Sequence, residues 1–161
     1  MKKFVSKFEF QYVNIDSLRN LILKGIIGYS TDKKELLKDF NTLWLKLKDE
    51  SVLKIQSKMN DIDGWNETGS LVFNYAIKDD DMPSAIMLSS DWMSINNVNI
   101  LTIEECDVYS ECGIRISNLI GNTIDVVCGA FPFSVQLEAA FSNFAFEPEY
   151  DLHCYKIKEC E

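Results

Sequence analysis

The chain has 161 residues, 47% of them apolar, with 25 acidic against 16 basic side chains and a net charge of −9. That length suits one domain, 1–161, burying roughly 70% of the surface its unfolded chain would expose, and the apolar fraction excludes a disordered chain. No apolar run approaches the roughly 20 residues of a membrane span, and Lys7 and Glu9 interrupt any signal-peptide core, so the expected setting is the cytoplasm.

Phe4 to Val13 reads as a first strand, with Phe4, Ser6, Phe8, Phe10 and Tyr12 on one face. Asp16 or Ser17 then caps a short helix carrying Leu18, Leu21 and Ile22, and Gly25 sits where that helix ends. Asp32 with Glu35 resembles a capping box, and Leu36, Leu37, Phe40, Leu43, Trp44 and Leu47 recur at helical spacing, which predicts a helix from Asp32 to Lys48. A further helical segment is expected over Glu50 to Met59. Asn60 to Gly69 is a loop by composition.

The second half reads mostly as strands: Ser70 to Ile77, Ala85 to Ser89 and Val98 to Ile103. Gly113 to Leu119 alternates apolar and polar residues with a period of two, and Thr123 to Cys128 is β-branched. Gly121-Asn122 between them supplies residues that tolerate a hairpin turn. Ser134 to Phe144 reads as a short helix, and Leu152 to Lys158 as a last strand. The expected fold is α+β: a mostly antiparallel sheet of about six or seven strands, with N-terminal helices and one C-terminal helix packed on it.

The charge is unevenly spread. Residues 1–60 carry 12 Lys+Arg against 7 Asp+Glu, whereas residues 61–161 carry 4 against 18. A negative second half disfavours nucleic acid and anionic membranes as partners and favours something basic. Lys33, Lys34, Lys38, Lys46 and Lys48 read as a solvated helix face.

Little in the sequence spells out catalysis. There is no Gly-x-Ser-x-Gly elbow, no phosphate-cradling glycine loop and no His-Glu-x-x-His, and the one histidine, His153, reads as a structural or surface residue. Five cysteines form no Cys-x-x-Cys. Reduced thiols are expected, with Cys128 as a small core residue. Cys106, Cys112, His153 and Cys154 match no usual zinc spacing, so neither metal nor cofactor is expected. The Asp79-Asp80-Asp81 tip and the cluster Glu104, Glu105, Asp107 are read as solvated carboxylates. Neighbours on one strand point to opposite faces, which suits a shared metal poorly.

Acids do stand beside aromatics, which is what a protein interface needs. Trp65 lies near Asp63 and Glu67, Trp92 beside Asp91, Tyr109 between Asp107 and Glu111, and Tyr150 between Glu149 and Asp151. The partner-binding set is therefore Glu104, Glu105, Asp107, Tyr109 and Glu111 as a central patch, with Asp79, Asp80, Asp81, Glu149 and Tyr150 around it.

In its small size, single acidic α+β domain, lack of catalytic motifs and these acidic–aromatic patches, the chain resembles bacterial immunity proteins that neutralise cognate toxins, including those of contact-dependent growth inhibition systems. The resemblance implies cytoplasmic action without catalysis. It also implies tight inhibition of one toxin, basic and of nuclease type, by covering its active site or substrate face. The rival reading is a small carboxylate-based hydrolase, or a small-molecule-binding protein with its site on the concave sheet face.

Overall fold

A computed structural model of the chain describes residues 6–10, 12–32, 40–62, 67–105, 107–142 and 146–159. In chain order the elements are β1 (Ser6–Phe8), α1 (Tyr12–Lys24), β2 (Ile26–Thr31), β3 (Thr42–Leu47), β4 (Val52–Asp61), β5 (Glu67–Ala76), β6 (Ile86–Met87), β7 (Ile95–Glu105), β8 (Val108–Asn118), β9 (Thr123–Cys128), β10 (Val135–Glu138) and β11 (Lys156–Glu159). Short 3-10 turns occupy Ser90–Met93 and Leu152–Cys154.

The fold is α+β, as expected, but it has two sheets rather than one. A six-stranded sheet runs β10-β9-β8-β7-β11, with β1 lying parallel to the start of β8. A five-stranded antiparallel sheet runs β5-β4-β3-β2-β6. The two meet chiefly where β5 faces β8, and α1 packs against both β5 and β7. One apolar core collects side chains from both sheets and from α1.

The β8–β9 hairpin forms in the place the alternation predicts. Ile114 pairs with Val126 and Ile116 with Ile124, and all four are fully buried on one face. Gly121 takes a φ of +90°, and the Asn118 carboxamide oxygen closes the turn by accepting the Ile120 and Asn122 N–H groups at 3.2 and 2.9 Å. Helix α1 also ends as expected, at Gly25 with a φ of +68°, which glycine adopts without a Cβ penalty. Among its described side chains Leu18 and Leu21 are fully buried, each contributing on the order of 2 kcal/mol from burial.

Several expectations fail, four of them in the first strand, the helices and β10, and the loop expected over Asn60 to Gly69 is strand at residues 60–61 and 67–69. The first strand covers Ser6–Phe8 among the described residues, and Tyr12 already belongs to α1. The helix expected over Asp32 to Lys48 is contradicted where it is described: Thr42–Leu47 is a strand, and residues 33–39, with Lys33, Lys34 and Lys38, lie outside the described residues. The segment Glu50 to Met59 belongs to β4 apart from its first two residues, and β4 continues to Asp61. The expected C-terminal helix from Ser134 holds β10 instead, and α1 is the one α-helix among the described residues.

The physical reason is shared. Leu43, Leu45 and Leu47 satisfy a period of two as well as Leu43, Trp44 and Leu47 satisfy a helix, and a short apolar run cannot choose. Pairing with β2 and β4 decides, and it buries all three leucines. The turn between β3 and β4 carries no glycine. Glu50 takes the positive φ of 70° there, and the Asp49 carboxylate accepts both the N–H and the O–H of Ser51. β10 is held from both sides, by β9 and by the Val135 N–H donating to the Phe40 carbonyl at 2.8 Å.

Candidate interaction surface

The β7–β8 tip carries the central acidic patch, and the structure divides it. A bulge between Leu101 and Thr102 resets the register, so that Thr102 pairs with Glu111 and Glu104 with Tyr109. Glu111 is 1% exposed. Its Oε1 accepts the Phe10 N–H at 2.6 Å, and its Oε2 accepts the Tyr109 hydroxyl at 2.8 Å and the Lys158 ammonium at 2.7 Å. That carboxylate ties β8 to β11 and to the chain leaving β1; it does not face a partner. Burial and the Glu111 hydrogen bond push the Tyr109 hydroxyl up to about 12. Glu104 is paired with Lys156 at 2.7 Å, and Lys7 and Lys158 lie over the Tyr109 ring at 5.7 and 5.9 Å. Glu105 and Asp107 remain exposed, with Asp107 at a φ of 64° in the turn.

Glu149 and Tyr150 stand at the same end of the sheets. Glu149 accepts the Gly69 N–H through both oxygens at 3.1 Å, and burial raises its carboxyl above the usual range. Tyr150 shares a 2.8 Å hydrogen bond with Thr68. Burial pushes its hydroxyl up to about 12. The two residues therefore serve largely as a clasp between the sheets.

Asp79, Asp80 and Asp81 do not join them. They follow the far end of β5, whose eight residues from Gly69 to Ala76 span about 23 Å. Asp79 accepts the Trp44 indole N–H and the Asp81 N–H, both at 2.9 Å, and the indole contact first holds its carboxyl below the usual value. Asp80 pairs with Lys78 at 3.2 Å in full exposure.

Beside Glu149 the chain forms a turn just ahead of Ser134, where a helix is expected from the sequence and a strand follows instead. Residues 147–149 run antiparallel to the chain leaving β9, through Ala130 N–H to the Glu147 carbonyl and Glu149 N–H to the Cys128 carbonyl, both 2.9 Å. The turn that follows, Phe131-Pro132-Phe133, presents two phenylalanines that are 56% and 58% exposed. Phe133 sits at a φ of +64°, left-handed backbone that a bulky residue rarely adopts. The turn is nevertheless closed: the Ser134 hydroxyl and N–H both donate to the Phe131 carbonyl, at 2.6 and 3.1 Å. The available signal was composition, since an apolar Phe-Pro-Phe has no period with either flank.

No family model, curated protein or solved structure matches this chain.

The remaining candidates are soon placed. Among the described residues no three His, Cys, Asp or Glu side chains gather as a metal-binding group, and Cys106 lies outside them. Cys128 is buried in the core as expected, Cys112 is buried on the neighbouring strand β8, and Cys154 is half-buried; all three are free thiols. Burial raises the Cys112 and Cys128 thiols well above the ordinary range, which disfavours reactive thiolates. His153 is exposed in a 3-10 turn rather than in a strand. No helix of the described residues is long and apolar enough to cross a membrane. Trp65 lies outside the described residues, and Trp92 is buried, packed edge-on against Phe141 with ring centroids 6.2 Å apart.

Proposed function

We propose that the chain is an immunity-type interaction protein that neutralises a basic toxin domain, meeting it with the end of the sheets that carries Phe131, Phe133, Glu105 and Asp107. The observation that carries this reading is the solvent-facing phenylalanine pair on a closed turn, one of the two in strained backbone. Such an arrangement costs folding free energy and exposes apolar area, and both costs are recovered when aromatic anchors enter a partner's pocket. The carboxylates of Glu105 and Asp107, exposed and without an ion pair among the described residues, form an acidic rim, which steers a basic partner and speeds encounter. Glu104, Glu111, Glu149 and Tyr150 hold that end in shape, so little ordering is needed on binding. Covering the toxin's active site or substrate face would then inhibit it without catalysis, in the cytoplasm where the toxin acts.

The test is co-expression with the toxic domain encoded by an adjacent reading frame, followed by growth rescue and calorimetry on the purified pair. Replacing Phe131 and Phe133 together with Ser should weaken the complex by about a hundredfold or more. Glu105→Lys with Asp107→Lys should mainly slow association, and the loss should shrink in high salt. A complex that tolerates the double Ser variant at full affinity would remove this surface from the interface.

A further inference from the structure

At the opposite end of β9 and β10 a cavity of about 600 Å³ opens between Ser89, the Trp92 turn, the β8–β9 turn at Gly121 and the end of β10. That size falls within the range of roughly 300–1,000 Å³ typical of ligand sites. Two aromatic side chains, Trp92 and Phe141, stand in its walls. Trp92 and Phe141 meet edge-on, and Phe141 leans on Tyr29 with centroids 5.2 Å apart. Met87 lines the opening at 63% exposure.

One lining residue is ionisable, Glu138. It sits directly across the strands from Asp125, a like-charge pairing that is unfavourable in a sheet. Arg115 is bound to Asp125, donating Nε–H and Nη2–H at 2.7 and 2.9 Å. Among the described residues the Glu138 carboxylate makes no hydrogen bond or ion pair, and it stands on the wall of a cavity lined also by Trp92 and Phe141, in a chain of net charge −9. An ammonium or guanidinium group would balance that charge and lie against the ring faces of the same walls.

We propose that this cavity binds a small organic cation, an amine or guanidine on an aromatic or aliphatic body. The site is separate from the partner surface and does not depend on the toxin reading.

The experiment uses the isolated protein and three probes of one shape: phenethylammonium, neutral phenylethanol and anionic phenylpropanoate. Binding is followed by the Trp92 indole signal in NMR, assigned with Trp92→Phe. The cation should bind about tenfold more tightly than the neutral probe, with no saturation by the anion. Glu138→Gln should reduce the cation to the neutral probe's affinity. Ala140→Trp, at an exposed lining position, should abolish both while leaving the melting temperature unchanged. Equal response to cation and anion, or a preference that survives Glu138→Gln, would overturn the proposal. Because Glu138 is exposed, that variant reads the outcome even if the Ala140 variant does not fold.

Discussion

Two glutamates six residues apart show how far position outweighs residue type. Glu105 is exposed at the β7 end, whereas Glu111 is buried and satisfies a backbone N–H, a hydroxyl and an ammonium. Nothing in the local sequence separates them. The partners of Glu111 lie 101 residues away at Phe10 and 47 away at Lys158, so only the folded chain can assign its role. Removing one side of a buried, hydrogen-bonded charge pair leaves the other side unmatched. Lys158 is half exposed and can rehydrate, but the Phe10 N–H cannot. Glu111→Ala should therefore destabilise the fold by about 2–3 kcal/mol in urea unfolding, and Glu105→Ala should stay within about 0.5 kcal/mol of the wild type. Equal effects would mean that the two carboxylates share one environment.

Among the elements, β8, β9 and the end of α1 were legible, because their periods are long and their turns carry glycine. β3, β4 and β10 were not. Their apolar residues fit a strand and a helix equally, and their turns place Glu50 and Phe133 at positive φ where glycine or asparagine is the usual signal. The strain at Phe133 is open to measurement. Left-handed backbone costs an L-residue roughly 1–2 kcal/mol, and glycine returns part of that through its more flexible unfolded state. Phe133→Gly should then raise stability by about 0.5 kcal/mol on thermal melting, since the lost ring is mostly exposed. The same variant should lose partner affinity. A clear drop in stability would show that the ring supports the fold, and the anchor role would fall with it.

Across the whole molecule, two sheets are clasped by groups near one end. Glu149 reaches from the C-terminal loop to the Gly69 N–H of β5, and the Ser110 hydroxyl donates to the Gly69 carbonyl at 2.9 Å. Burial raises the Glu149 carboxyl, so the folded state holds its proton more tightly than the unfolded chain does. The sign follows: this group favours folding at low pH, and stability is lost as pH rises from the ordinary carboxylate value through the raised one. Asp49, held down to about 2 by the Lys24 and Ser51 hydrogen bonds, acts the other way, and its contribution disappears only as pH falls toward that value. Melting temperatures of the wild type and Glu149→Gln, compared between about pH 4 and about pH 7, should show the wild type losing ground as pH rises. A difference that stays flat with pH would place the charge of Glu149 in solvent.

The sequence alone determined the α+β class, the strongly negative second half, the β8–β9 hairpin and the core placement of Cys128, because each depends on composition or on periodicity within a few residues. Tertiary structure decided how many sheets there are, which carboxylates are buried and which face solvent, and where the exposed phenylalanines and the aromatic cavity lie. Those features depend on pairing between residues far apart in the chain. A strand's neighbour, and therefore the side chains that cover its charges, is chosen by the shared core rather than by the strand's own residues.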